Sequence, residues 1–269
     1  MPLHLRPSNK QQVIDMKTQQ PKTALITGAS RGLGKRTALT LAKSGVNIIF
    51  TYHSNHQEAQ ATAHELAEHG VLIKAIQSDC TNSDDRKQLL ITVEHTLQQW
   101  GLDRLNILIN NAGTNCHMPL HAVQEAHLDA MYDIHVKSVM FMSQLFSELL
   151  SDNGRIINIG SGTTRFAIPQ LIAYATMKGA TETLTKYLAK TLANRGITVN
   201  AVAPGALDTD FNAGVFSQAP QMKEMIASVT ALGRIGQVED ISGAIAFLCS
   251  EEANWITGQR LEASGGMFL

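Results

Sequence analysis

The sequence predicts an α/β protein: a doubly wound parallel sheet of about seven strands with helices on both faces, in a single domain over residues 21–269. Three observations carry this. Short apolar runs of strand length alternate with longer amphipathic runs from Lys22 to the end of the chain. Alternation of that kind joins parallel strands through right-handed helical crossovers. The 269 residues suit one large domain better than two small ones, and no stretch has the composition of a linker.

Taken in order, TALI (23–26) predicts a buried first strand, and TGASRGLG (27–34) a glycine-rich turn leading into a helix over 33–43. VNIIFTY (46–52) is the second strand, followed by a helix over 57–69 that stops at Gly70. A third strand at 71–77 precedes a helix through 89–99, and NILIN (106–110) is the fourth strand. Residues 123–150 carry helical pattern for two helices' length. RIINI (155–159), a long helix over 173–194, ITVNA (197–201), a helix over 238–249 and a last strand at 259–262 complete the alternation. Sheets of this kind hold ligands beyond the carboxyl ends of their strands. Gly28, Asp79, residues 110–113, Ser161 and the Pro204, Gly205 pair each directly follow a predicted strand.

Composition excludes several classes. Lys and Arg number 22 against 23 Asp and Glu, so there is no electrostatic footprint for nucleic acid or an anionic membrane. Cys80, Cys116 and Cys249 are scattered without C-x-x-C spacing, and His117 and His121 read as surface or loop residues rather than ligands, which argues against a disulfide framework or a metal site and for a cytoplasmic setting. Residues 1–20 are polar, lack an apolar run of signal or anchor length, and read as a flexible arm.

Two patterns carry chemistry. Gly28, Gly32 and Gly34, spaced G-x-x-x-G-x-G, let the backbone approach a pyrophosphate closely and aim free N–H groups and the helix macrodipole at its charge. Tyr174 and Lys178 stand four residues apart and share a helix face. A phenol with a reference pKa of about 10 is a poor acid near neutrality; a neighbouring cation stabilises the phenolate and lowers that value. Ser161 can place a hydroxyl on the same carbonyl oxygen.

TGASRGLG, NNAG at 110–113, Ser161 followed by Tyr174-x-x-x-Lys178, VNAVAPG at 199–205 and the closing ITGQRLEASGG occur in the order and spacing of the short-chain dehydrogenase/reductase family, which the chain resembles from about residue 22 to 267. The resemblance implies a Rossmann-type fold and a reductase that moves a hydride between a nicotinamide and a carbonyl or alcohol substrate. By that resemblance Gly28, Gly32 and Gly34 cradle the pyrophosphate, with Thr27, Ser30, Arg31 and Leu33 completing the loop. Asp79 and the backbone at Cys80 hold the adenine, and Asn111, Ala112 and Gly113 line the cofactor cleft. Pro204, Gly205 and Thr209 border the nicotinamide, with Thr209 touching its amide. Tyr174 is the acid for reduction and base for oxidation, Ser161 polarises the carbonyl, and Lys178 binds the ribose and tunes Tyr174. A homotetramer or homodimer is implied by resemblance alone.

NAD-preferring sheets carry an acid after the second strand for the ribose 2′-hydroxyl. Here Tyr52, His53 and Ser54 stand there, and Arg31 in the glycine loop can pair with a 2′-phosphate, so NADP(H) is expected over NAD(H). One departure is His135 where the family usually has an asparagine that orders a water; an imidazole that titrates near neutrality would make turnover more pH-dependent. Ser264 stands where similar sequences often carry aspartate. Residues 114–119, 162–171 and 207–225 are expected to form a mostly apolar pocket, with Thr163, Thr164, Phe166, Ile168 and Phe211 in it, and 206–226 to act as a mobile lid. A 3-oxoacyl thioester is a specific substrate candidate by resemblance, although Arg165 alone does not make a phosphopantetheine or carrier-protein site. The competing reading is a non-catalytic NADP-binding sensor or scaffold: intact Ser161, Tyr174 and Lys178 argue against it, and His135 argues for it.

Overall fold

The computed structural model describes residues 21–219 and 221–269, so the arm expected over 1–20 lies outside the described residues. Seven parallel strands form one sheet: β1 (Thr23–Ile26), β2 (Asn47–Tyr52), β3 (Ile73–Gln77), β4 (Leu105–Asn110), β5 (Leu150–Ile159), β6 (Thr198–Pro204) and β7 (Arg260–Ala263). Their spatial order is β3-β2-β1-β4-β5-β6-β7, which puts the switch in winding direction between β1 and β4. The helices are α1 (Gly32–Ala42), α2 (His56–Ala67), α3 (Ser83–Gln99), α4 (Glu125–Tyr132), α5 (Ser138–Ser147), α6 (Ile172–Leu192), α7 (Asp210–Gln218), α8 (Gln221–Ser228) and α9 (Val238–Cys249).

The inner strands are largely buried on both faces, the edge strands β3 and β7 are partly exposed, and side chains alternate between two cores. Ala24, Ile26, Ile48 and Phe50 point to the layer of α1, α2 and α9, where they meet Leu39, Leu66, Ile241 and Ile245. Leu25, Ile49 and Leu108 point the other way, to Val93 and Leu97 of α3 and Met142 and Phe146 of α5. These runs are apolar throughout for that reason.

Three differences from the sequence reading have local causes. The α3 helix starts at Ser83 because the Asn82 side chain caps it, accepting from Asp84 N and Asp85 N. The β5 strand starts at Leu150, five residues before the apolar RIINI run, through an irregularity opposite Leu105 and Ile107 where Asn153 turns to φ 59°. The segment expected as a lid is folded into α7 and α8, whose Phe216 and Ile226 form a separate apolar cluster with Met267.

Candidate active site

At the carboxyl end of β1 the glycine loop is shaped by contact with its neighbour strand. Gly28 and Gly32 have φ of 63° and 56°, which favour glycine. A Cβ on Gly34 would lie 2.5 Å from Asn111 Nδ2 and 2.7 Å from Gly28 O, so only glycine fits. Asn111 braces the loop, donating through Nδ2 to Thr27 O (2.9 Å) and Gly28 O (3.0 Å). The Thr27 hydroxyl accepts from the backbone N–H groups of Asn111 and Ala112. No side chain caps α1 and no acid stands in its first turn, which leaves its amino end available to an anion.

Every residue assigned to the site from sequence lines one cavity of about 900 Å³, with the exceptions of Thr27 and of Thr164, whose hydroxyl turns away to Glu182 and the Ser161 carbonyl. Thr27 is a correction: it is buried, and its hydroxyl joins β1 to the β4 end instead of facing a ligand. At the far end of the second strand His53 and Ser54 line the cavity as expected; His53 Nε2 lies 3.8 Å from an oxygen of Asp79, whose other oxygen accepts from Thr81. Cys80 lines the same end, but burial pushes its thiol up to about 11, so it is no nucleophile.

The opposite wall gathers Ser161, after β5, with Tyr174 and Lys178 of α6. Lys178 Nζ donates to Ile159 O at 2.7 Å and sits 5.6 Å from the centre of the Tyr174 ring. The Ser161 Oγ accepts from Thr163 N and shares a 2.9 Å hydrogen bond with the Thr163 hydroxyl. Burial pushes the Tyr174 phenol up to about 12, with the Ser161 hydroxyl pulling the other way. Burial draws Lys178 down to about 7, against the carboxylate of Glu182. The phenol is expected from sequence to be lowered by the lysine; in the folded chain desolvation is the largest influence on both groups and moves the phenol the other way.

His135 lies in a π-helical turn, Asp133–Lys137, between α4 and α5. It is 1% exposed, packs edge-on against the Tyr174 ring at 5.2 Å, and bonds through Nε2 to Thr114 O at 2.7 Å. A backbone carbonyl only accepts, so Nε2 carries the proton and Nδ1, which has no partner, is a bare acceptor. Burial, then the charge of Lys178, push its pKa down to about 2. The expectation that His135 titrates near neutrality is therefore corrected: the ring is neutral, and its own backbone carbonyl is capped by Thr181 Oγ1 at 2.7 Å.

Between the two walls stand Asn115, His117, Phe166, Ile168, Leu171 and Phe211. Arg165 does not face a ligand: it forms a two-pronged pair with Glu262 (2.7 and 2.8 Å) and donates to the carbonyls of Met267 and Phe268. Sequence reasoning did not single out Met267, which reaches the cavity from near the end of β7, or Asp210, which falls in the expected 207–225 segment and lies 3.6 Å from Arg31. Neither carried a motif. Among the described residues no group of three His, Cys, Asp or Glu side chains could hold a metal, and no helix is long and apolar enough to cross a membrane.

The chain that carries this arrangement, a glycine loop facing a Ser-Tyr-Lys wall across one cavity, matches a family model described as enoyl-(acyl carrier protein) reductase over residues 28–268. The chain belongs to the short-chain dehydrogenase/reductase family. It is an oxidoreductase of that family on a Rossmann-type sheet. It is 36% identical over 250 residues to the 3-oxoacyl-[acyl-carrier-protein] reductase FabG of Staphylococcus aureus, covering 92% of this chain and 98% of the relative. Among solved structures, it resembles the promiscuous reductase LugOII, which catalyses keto-reduction at C1 during lugdunomycin biosynthesis, at 37% identity and a TM-score of 0.87, covering 92% of this chain and 98% of that one. The angucycline C-6 ketoreductase LanV, solved with bound NADP, matches at 34% identity and a TM-score of 0.87 over 92% of this chain and 95% of that one.

Proposed function

We propose that this protein is an NADPH-dependent ketoreductase acting on neutral, largely apolar ketones, with Tyr174 as the proton donor. The observation that carries the reading is the convergence of Ser161, Tyr174 and Lys178, all more than nine-tenths buried, on one wall of the cavity whose other end is the glycine loop.

The residues fit the cofactor. Gly28, Gly32 and the uncapped start of α1 would take the pyrophosphate, and Asp79 and Cys80 the adenine end. No carboxylate follows β2, and Arg31 is held only by an exposed pair with Asp210, which is weak enough to exchange for a 2′-phosphate. NADP(H) is accordingly preferred to NAD(H). When bound, NADPH supplies a hydride to the carbonyl carbon.

The chain's own groups manage the oxygen. Tyr174, kept protonated by burial, gives its proton to the carbonyl oxygen as negative charge builds there, while the Ser161 hydroxyl donates to the same atom. Lys178, drawn down to about 7, is a proton source matched to restoring the phenol afterwards. Oxidation runs the same steps backwards. His135 holds the Tyr174 ring and the loop at Thr114 as a neutral spacer.

Lys178 and Arg31 are the Lys and Arg side chains lining the cavity, and both belong to the catalytic and cofactor ends. With Arg165 paired internally, the substrate region offers apolar surface and hydroxyls, which suits an uncharged ketone better than a phosphopantetheine arm. Residues 206–226, through α7, close over such a substrate as a lid, with the Phe211 ring 6.2 Å from that of Tyr174. The binding-only reading rested on His135, and a neutral imidazole leaves the reacting groups intact.

The test is oxidation of NADPH and of NADH by the purified protein across aromatic and aliphatic ketones and 3-oxoacyl thioesters, with Tyr174→Phe beside it. Turnover of neutral ketones with NADPH, lost by about a thousandfold or more in Tyr174→Phe, is expected. Preference for NADH, or thioesters as the better substrates, would overturn those parts of the reading; tight NADPH binding with no turnover would favour the sensor.

A further inference from the structure

Behind Ser161, outside the cavity, four charged side chains pair with one another in a closed set. Arg260, at the start of β7, donates from Nε to Glu182 Oε1 (2.7 Å), from Nη1 to Glu262 Oε2 (2.9 Å) and from Nη2 to the backbone carbonyl of Ser161 (3.1 Å). Glu262 also takes both prongs of Arg165 and the hydroxyl of Ser264 at 2.6 Å. The Thr164 hydroxyl lies 2.6 Å from Glu182 Oε1 and 2.9 Å from Ser161 O. Glu182, Glu262 and Arg260 have side chains 16, 18 and 22% exposed, so their charges act through a poorly screened medium.

Glu182 continues a series. Tyr174, Lys178 and Glu182 follow at four-residue steps along one face of α6, so the carboxylate stands a turn beyond the lysine. The groups facing Lys178 are Tyr174, neutral, His135, neutral, and Glu182, the one carboxylate that opposes the pull of burial on its ammonium. Glu182 in turn faces Arg260, whose charge is divided between two carboxylates.

We infer that Glu182 and Arg260 are positioning residues of the carbonyl-reducing site. The carboxylate keeps the Lys178 ammonium available, while the guanidinium limits that carboxylate's field and anchors the Ser161 backbone. Neither side chain lines the cavity. The inference rests on the proposed roles of Lys178 and Ser161, but its direct readout needs no substrate.

The experiment follows the titration of Lys178 by NMR in protein carrying ¹³C at the lysine Cε, the signal being identified by its loss in Lys178→Arg. Glu182→Gln, which keeps a hydrogen-bonding side chain, is expected to lower the midpoint by about one unit. Arg260→Gln is expected to raise it, because the carboxylate is then unopposed. The double variant is expected to return towards the parent. Arg260→Lys keeps the charge and loses the fork to Ser161, so the midpoint stays while turnover of a ketone falls about tenfold. Shifts of the same sign in both single variants, no shift in either, or a parent midpoint near that of free lysine would overturn the inference. A protein inactive on every ketone, yet with opposed shifts, would sink the reductase reading and leave the charge coupling standing.

Discussion

Arg31 and Tyr174 stand at opposite ends of one cavity and are handled in opposite ways. The Arg31 side chain is 61% exposed, its partner Asp210 65% and His53 75%, so the end proposed for the cofactor would meet it with backbone amides, absent Cβ atoms and solvated charge. At the catalytic end Tyr174, Lys178, Ser161 and His135 are 8, 5, 8 and 1% exposed. Solvated charges contribute modest, salt-screened selectivity. Burial moves the other set further, the phenol up to about 12 and the ammonium down to about 7, so the phenol stays protonated while the ammonium can release its proton near neutrality. Binding and chemistry therefore draw on the two dielectric extremes of one molecule.

Substitutions should divide along that line. The largest effect is expected from Lys178→Met: turnover falls by roughly 10²–10⁴, whereas the melting temperature at pH 6 rises by about 3 °C or more. The sign follows from linkage. Lys178 binds its proton less well folded than unfolded, so below about 7 the charged lysine opposes folding and a thioether does not. A fall in both activity and melting temperature would remove the contrast. Gly34→Ala is expected next, since its Cβ would land within 2.8 Å of three atoms of the brace; a loss of about 2 kcal/mol in denaturant unfolding, with weaker binding of NADPH and NADH alike, would mark a defect in shape.

Smaller effects sharpen the comparison. Arg31→Ala is expected to weaken NADPH about tenfold, to spare NADH, and to flatten the dependence of NADPH affinity on salt, all read by fluorescence titration. Equal losses for the two cofactors would place Arg31 outside 2′-phosphate recognition. The smallest change at neutral pH belongs to His135→Asn. An imidazole held down to about 2 folded and near 6.5 unfolded makes stability fall as pH drops through 6.5, because the unfolded chain then binds the extra proton. Asparagine should remove up to about 1.4 kcal/mol per pH unit of that slope between 6 and 4. Parallel slopes in the two proteins would show that His135 is not held neutral.

Much of this site was open to reading because its motifs are local. The G-x-x-x-G-x-G turn and Tyr174-x-x-x-Lys178 each lie within a few residues, and the strand-end rule put them on one edge of the sheet. Even Glu182 was within reach, one more four-residue step along α6. Thr27 was misread since its partners, Asn111 and Ala112, are 84 and 85 residues away. What Arg165 pairs with could not be read locally either, because Glu262 is 97 residues distant.

Alternating apolar runs and glycines at strand ends were enough to determine the doubly wound sheet and the edge that carries the candidate site, and the family resemblance carried by the co-occurring motifs gave the class of reaction. Only the tertiary structure decided which charges are solvated, which polar groups face each other across the sheet, and hence the directions in which Tyr174, Lys178 and His135 depart from their ordinary acidity. The reason is physical: periodicity reports which side of an element is buried, but desolvation and Coulomb energy depend on what the rest of the chain brings alongside.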